Sequence, residues 1–430
     1  MNDHVIGLVG WGTVGGGVLD VLEQDGQLLA ERCGMNLVVK TIVDADLERP
    51  RSQKPDAQLA SDVTAVNDDP AIETVIHLVP GTTIARELVI ASLSAGKHVV
   101  TANKALLAEH GDELFAIASK HSVSIAFEAA VAGGIPVIAA LRDGLAANSI
   151  VAIHAILNGT CNYILDQMEV AGLSYDEALE RAQALGYAEA DPTLDVNGHD
   201  TAHKLAILAR IAFMGRVDFA DISIEGIEDI TAEDIASAQR MGCRIKLLAV
   251  ARKQRNGIEL RVAPTLVATS LPLAGVTENY NAVRIDASNA GPTLLVGQGA
   301  GASPTASAVL ADVVDIATGR YQGTANRFRF FQSVGHLDVL PEAQEETASY
   351  ARFTVPDRVG LLAALCQRLS EAGISLLSVN QSRPDEHGQC SLEVTTHPCR
   401  GGDFLAAVAR IEADGLTADE TRMFRMLGDV

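Results

Sequence analysis

The sequence has no close cysteine pair: its six cysteines, at 33, 161, 243, 366, 390 and 399, form no CxxC. That spacing argues against a zinc ribbon or a disulfide framework and fits a reducing, cytoplasmic setting. Positive charge is also scarce. Lys plus Arg number 33 against 55 Asp plus Glu, a formal net charge of −22, so no broad basic surface is available to hold nucleic acid or an acidic membrane. Two stretches lack Asp, Glu, Lys and Arg for long enough to test as membrane spans, 144–165 and 287–311, and both fail. The first carries Asn148, Ser149, His154, Asn158 and Asn162; the second is broken by Gly291, Pro292, Gly297, Gly299, Gly301 and Pro304. The start of the chain shows no basic segment followed by an apolar one, so no secretory leader is expected. Aromatics make up only 4% of residues, but 48% are apolar, which supplies aliphatic cores and excludes disorder of the whole. At roughly 150 residues per domain, 430 residues suggest two or three domains.

The first third alternates strands and helices. An apolar run at 5–9 meets a glycine-rich turn at 10–17 and a helical pattern at 18–29. A β-branched run at 37–43 follows and ends at Asp44. Strands at 74–79, 98–101 and 123–127 then alternate with helices at 84–95 and 106–120, which predicts a doubly wound parallel sheet. After Pro136 the texture changes. Residues 151–240 hold 16 acidic against 5 basic residues, and a mixed α+β domain is expected, with strands at 150–157, 246–252, 259–266 and 282–286. One helix in it has readable ends: Ser174 and Glu177 form a capping box, and Gly186 stops the helix. Ser303 and Pro304 read as the cap and first residue of a helix to about 318. Residues 332–349 read as a linker. From 350 a βαββαβ order in about eighty residues predicts a ferredoxin-like unit.

Gly10, Gly12 and Gly15 stand as G-x-G-x-x-G between the first strand and helix, with Trp11, Thr13 and Val14 completing the turn. Such a turn lets backbone approach a pyrophosphate, which sits on the helix N-terminus. An acidic chain can hold a dinucleotide this way without a basic patch. Asp44 is the candidate ligand for a ribose hydroxyl, favouring NAD, although Arg49 nearby would favour NADP; a simple loop cap is the alternative for Asp44. Thr101 to Lys104 end a strand at the carboxyl edge, where open α/β sheets bind ligands; a solvated surface charge is the alternative for Lys104. The densest chemistry lies at 186–204, where Glu189, Asp191, Asp195 and Asp200 approach Lys204. If a helix begins near Asn197, Asp200 and Lys204 share one face as an i, i+4 pair, either a solvated ion pair or a buried functional one. His199, Asp200 and His203 also give H-D-x-x-H, a weak match to a zinc motif that wants Glu.

Taken together, the pieces resemble homoserine dehydrogenase over nearly the whole chain. The similarity is carried by Ala182, Gly186, Asp191-Pro192, Asp195, Gly198, Asp200 and Lys204, by G-W-G-T-V-G at 10–15, T-A-N-K at 101–104, N-G-T at 158–160 and G-x-G-A-G at 297–301. Residues from 350 onward resemble an ACT domain, with P-D-R-V-G-L-L at 356–362 leading into its first helix. The resemblance implies a Rossmann-type domain at 1–135 completed by 303–319, a substrate and dimerisation domain at 136–302, and an ACT regulatory domain at 350–430.

The implied reaction is reversible NAD- or NADP-dependent interconversion of L-homoserine and L-aspartate 4-semialdehyde, in threonine, methionine and isoleucine biosynthesis. Lys104 is the expected acid/base, with Lys204 as the neighbouring cation and Asp200 orienting Lys204 and the substrate hydroxyl. Glu189 suits the substrate ammonium and Asp195 supports that pocket, with Tyr187, Asn158, Gly159 and Thr160 around it. Gly10 to Gly15, Asp44, Thr101, Lys104 and Gly301 are expected at the cofactor. The resemblance also implies a monovalent cation, sodium or potassium, at Glu128, Val131, Gly133 and Ile135, where E-A-A-V-A-G-G-I offers carbonyl oxygens; a purely structural turn fits the residues equally well. It further implies a homo-oligomer and an amino-acid effector such as threonine. Two alternatives remain: another amino-acid dehydrogenase on the same scaffold, and an inactive nucleotide-binding sensor.

Overall fold

A computed structural model of the chain describes residues 1–48, 56–325 and 335–428. Arg49 lies outside the described residues. Two compact units emerge: Met1–Thr160 with His199–Ala220 and Glu278–Leu337, and Cys161–Gly198 with Asp221–Thr277 and Asp338–Val430. Among the described residues no helix is long and apolar enough to cross a membrane.

The first unit is built on β1 (Asn2–Val9), α1 (Thr13–Cys33), β2 (Met35–Val43), β3 (Gln58–Ala60), β4 (Thr74–His77), α2 (Ile84–Ser94), β5 (His98–Thr101), α3 (Lys104–Lys120) and β6 (Ile125–Ala126). These six strands form one sheet in which every pairing is parallel, in the order β3-β2-β1-β4-β5-β6. Ile6 and Leu8 of β1 enter one core while Val9 joins Val43 and Val75 in another. Burial on both faces explains why these strands read as unbroken apolar runs instead of alternating ones. The order reverses between β1 and β4, and that switch point opens a crevice at the carboxyl ends of the strands.

Two later segments complete this unit, α4 (His199–Phe213) and α5 (Ala302–Ala317). Val309, Val313 and Ile316 of α5 share the core of Ile6 and Leu8. Gly17 permits the approach of α1 to α5, because a Cβ there would lie 2.7 Å from the Ala302 carbonyl oxygen. The N-cap of α5 is Gly301, not the expected Ser303. With φ at +117°, Gly301 adopts a backbone that a side chain disfavours, and Pro304 still falls in the first turn, where its missing N–H costs nothing. Antiparallel strands Ile150–Ile156, Tyr280–Ala287 and Gly291–Gln298 also belong here. The last was not foreseen, since Gly291, Pro292 and Gly297 dilute its pattern.

In the second unit the capping box of Ser174 and Glu177 opens the helix Tyr175–Ala184, as read from sequence. Strands Cys243–Gln254 and Gly257–Ala268 pair antiparallel along their full length. The βαββαβ module follows from 349, its strands lying in the spatial order last, first, third, second. Phe353, Leu365, Leu392 and Phe404 fill its core. That is the ferredoxin-like arrangement expected from sequence.

Candidate active site

The glycine turn after β1 has the shape its sequence implies. Gly10 has φ +98°, a Cβ on Gly15 would lie 2.3 Å from the Gly10 carbonyl oxygen, and Gly12 has open space where a Cβ would stand. Thr13 opens α1 directly, so the helix begins earlier than the periodicity suggested. Asp44, just past β2, accepts the Trp11 N–H at 2.6 Å and the Asp46 N–H at 2.9 Å. The carboxylate is thereby fixed against the turn that would cradle a pyrophosphate, a geometry that fits a dinucleotide with its ribose near Asp44.

Along the same edge of the sheet, buried Thr101 ends β5 and Asn103 caps α3. The Asn103 side chain accepts the Leu106 N–H at 3.0 Å and donates to the carbonyls of Val79 and Gly81 at 3.1 and 2.7 Å. These bonds tie the loop after β4 to the start of α3, so Lys104 stands at the first helical position instead of two residues before it. A cation at the positive end of a helix is unfavourable by roughly 0.3–1 kcal/mol, and something nearby must offset it.

Asp200 does so. Its Oδ1 lies 2.8 Å from Lys104 Nζ, and its Oδ2 lies 2.7 Å from Lys204 Nζ and 3.0 Å from the Asn158 side-chain amide. Lys204 also donates to the Leu157 carbonyl at 2.7 Å. One buried carboxylate therefore holds two ammonium groups, one from each of two helices that pair again further along, through Arg210 and Asp112. The i, i+4 spacing of Asp200 and Lys204 survives although α4 starts at His199, not near Asn197. Burial alone would raise the Asp200 carboxyl, but Lys204 and then Lys104 overcome it and hold the group well below the usual carboxylate range. Lys104 is the more open of the two lysines, with 37% of its side chain exposed against 11% for Lys204. An ammonium carries three donors, so Lys104 can bond a substrate oxygen while it keeps Asp200.

The H-D-x-x-H pattern goes elsewhere. The His203 ring stacks on Phe219 at 4.5 Å, His199 lies 6.1 Å from the same ring, and burial keeps His203 below its ordinary pKa. With Asp200 committed to two cations, the motif has no carboxylate to lend a metal.

In the second unit, Gly186 at φ +75° turns the chain out of its helix. Tyr187 meets Tyr163 edge to face at 5.0 Å, and the exposed Glu189 accepts a bond from Gln183 through its carbonyl. Asp191 accepts the Thr193 N–H and hydroxyl at 3.2 and 2.6 Å ahead of the short helix Thr193–Val196, on which Asp195 sits. Gly159, in the first unit, lies where a Cβ would be 2.5 Å from the Asn279 carbonyl oxygen.

Glu128 accepts the N–H groups of Ile138 and Ala139 at 2.7 and 2.8 Å, and its own N–H donates to Asp312. Burial pushes its carboxyl up to about 7. The chain then bends through Ala132 and Gly133, both at positive φ, and packs backbone to backbone on 297–301: Gly134 N–H donates to the Gln298 carbonyl, and a Cβ on Gly133 would meet the Gly299 carbonyl oxygen at 2.5 Å. Sequence reading did not connect these two glycine segments. Among the described residues no group of three His, Cys, Asp or Glu side chains is suited to a metal. A site made of carbonyl oxygens needs no such group, and this irregular turn is compatible with one.

Comparison with known proteins finds three matching family models. Residues 10–128 match the family model for the homoserine dehydrogenase NAD binding domain, 136–314 the homoserine dehydrogenase model, and 349–415 the ACT domain model. The chain is 43% identical to a homoserine dehydrogenase of Pseudomonas aeruginosa over 98% of this chain and 99% of that one, and 41% identical to one of Neisseria gonorrhoeae over 98% of each. A crystal structure of a homoserine dehydrogenase from Thiobacillus denitrificans superposes with a TM-score of 0.93 at 41% identity, covering 99% of both chains.

Proposed function

The chain belongs to the homoserine dehydrogenase family of NAD(P)-dependent oxidoreductases and carries an ACT domain, and from that premise we propose how its residues divide the work. The substrate pair is L-homoserine and L-aspartate 4-semialdehyde, in the biosynthesis of threonine, methionine and isoleucine. A bound NAD(P) would supply the hydride acceptor, or donor, for the carbinol carbon. Lys104 exchanges the hydroxyl proton: as an amine it takes the proton during oxidation, and as an ammonium it gives the proton back during reduction. Asp200 and Lys204 keep that exchange balanced, since Lys204 alone neutralises Asp200 when Lys104 has lost its proton. The observation that carries this reading is the single buried carboxylate shared by both lysines.

Residues 1–135 with 303–319 form the cofactor domain in this reading, 136–302 the substrate and dimerisation domain, and 350–430 the regulatory domain. Gly10 to Gly15, Thr101 and Gly301 hold the cofactor, and Asp44 favours NAD. Homoserine-dependent formation of reduced nicotinamide, measured by its absorbance with NAD and with NADP in turn, tests the assignment; no turnover with either cofactor would leave the inactive sensor as the better reading.

Glu189 receives the substrate ammonium, with Asp195, Tyr187, Asn158, Gly159 and Thr160 shaping the site. Replacing Glu189 with Gln should raise KM for homoserine by roughly 10- to 100-fold, the loss of one charge-assisted bond, with cofactor KM unchanged. An unaltered homoserine KM would remove Glu189 from the pocket.

A sodium or potassium ion held by Glu128, Val131, Gly133 and Ile135 is part of the same proposal, supported by the irregular turn there. Exchanging sodium for choline at constant ionic strength should lower the unfolding temperature by roughly 2–4 °C, the effect of about 1 kcal/mol of lost binding. Identical melting curves in the two salts would count against the ion. An amino-acid effector such as threonine is assigned to the approach to the first ACT helix, where residues 355–362 with Gln381 and Leu392 line a cavity of about 250 Å³. The enzyme is proposed to be cytoplasmic and homo-oligomeric.

A further inference from the structure

Asn103 does more than begin a helix. As a cap it needs only its side-chain oxygen, which accepts the Leu106 N–H, and serine or aspartate would serve there equally well. What distinguishes asparagine is its amide nitrogen. Both protons on that nitrogen go to the loop after β4, to the carbonyls of Val79 and Gly81. Only this orientation satisfies the amide: turned over, its nitrogen would face the Leu106 N–H and its oxygen two carbonyl oxygens. The backbone is held as well, since Asn103 N–H donates to the Thr101 hydroxyl at 3.1 Å and its carbonyl accepts the Leu107 N–H at 3.2 Å.

The loop that Asn103 holds is fixed on its other side to the glycine turn. Leu78 N–H donates to the Val9 carbonyl at 2.8 Å, and a Cβ on Gly10 would lie 3.0 Å from the Leu78 carbonyl carbon. At the base of the loop, the buried His77 ring bonds Ser92 of α2 at 2.8 Å, and Ser92 donates to Asn67 at 2.8 Å. A continuous run of contacts thus leads from Asp44 and Trp11 through Gly10 and residues 78–81 to Asn103, and the next residue is Lys104.

Chemistry gives that run a purpose. Oxidising a carbinol removes a hydride from carbon and a proton from the oxygen bonded to it, so the two accepting groups must stand in register at adjoining atoms. A misplacement of about 1 Å can cost on the order of 10²-fold in rate. Asp200 holds the tip of the Lys104 side chain at 2.8 Å; the clamp on Asn103 sets its root. We infer that Asn103 is a positioning residue that fixes Lys104 against the cofactor turn, so that proton and hydride transfer stay in register. The inference rests on the reading of Lys104 as the acid/base; the clamp does not.

The full-length enzyme carrying Asn103→Ser tests it, because serine keeps the cap and loses both amide donors. The kcat for homoserine oxidation should fall by roughly 10- to 100-fold, while KM for homoserine and for NAD(P) stays within about twofold. The same substitution is then placed in Lys104→Ala, where no ammonium remains to be misplaced. There kcat, and the rate restored by added methylamine, should differ by less than about twofold from Lys104→Ala alone. Asn103→Asp, of the same shape and an equally good cap, should lower kcat at least as far, because its oxygens would meet the Val79 and Gly81 carbonyls. It decides the matter if Asn103→Ser fails to fold. The inference is overturned if both variants keep near-normal kcat, if the loss falls on KM for NAD(P) with kcat intact, or if Asn103→Ser lowers the rate equally with and without the lysine. Near-normal kcat in Lys104→Ala is a separate failure, which removes the acid/base reading and this inference with it. Loss in Lys104→Ala with none in Asn103→Ser removes only the role of Asn103.

Discussion

Lys104→Ala should lower kcat for homoserine oxidation by roughly 10²–10⁴-fold, the range for loss of a positioned acid/base, with little change in cofactor affinity. The side chain is the more open member of the pair on Asp200, and its position at the first residue of α3 is one that helix electrostatics disfavour. A residue kept where local preference opposes it is expected at a functional site. Truncation should remove turnover while Lys204 still neutralises Asp200. Small primary amines should restore part of the rate to the alanine variant, and the restored rate should follow amine basicity, which loss of packing alone would not produce. A variant with near-normal kcat would remove Lys104 from the chemistry.

Asp200→Asn should damage both fold and activity. The carboxylate is 8% exposed, and its removal leaves two ammonium groups facing one another with no anion between them. Breaking a buried ion pair from one side costs roughly 3–5 kcal/mol, so the unfolding temperature should fall by on the order of 10 °C. Turnover should drop by roughly 10²-fold or more. The pH dependence has a definite sign. Since Asp200 is held well below the usual carboxylate range, its stabilisation is complete above the unfolded pKa near 4 and disappears only as the pH falls far into acid. The stability gap between wild type and variant should thus stay flat from neutral pH down to about 5. A gap that closes on mild acidification would contradict the ion-pair geometry. Combining Lys104→Ala with Asp200→Asn should cost little more activity than the worse single change, because the residues act as one unit.

The parts of this site that lie close together in sequence were legible in advance. Gly10, Gly12 and Gly15 announce the turn through backbone demands that only glycine meets, and Asp200 with Lys204 declare themselves by helical spacing. The capping box at Ser174 fixed a helix start to the residue. What could not be read is whatever depends on long-range contact. The bond from Asn158 to Asp200 and the acceptance of Lys204 by the Leu157 carbonyl have no local signal, and a carbonyl has no identity in a sequence at all. The packing of 131–135 on 297–301 is backbone against backbone, so its only trace is glycine, which sequence reading assigns to turns. The cap of α5 was misplaced for a related reason: Ser303 is the better side-chain cap, but the backbone at Gly301 decided where the helix begins.

The packing of α5 on α1 bears on how the protein is made. The face of α1 that receives Ala302 at Gly17 is synthesised nearly three hundred residues before its partner, so during translation the cofactor sheet waits with that core open. Val18 and Leu8, buried in the finished unit, lack their partners Val309 and Val313 until α5 leaves the ribosome. Early stops anywhere before α5, however far past the glycine turn, should accordingly release chains with an exposed apolar face that are prone to aggregate.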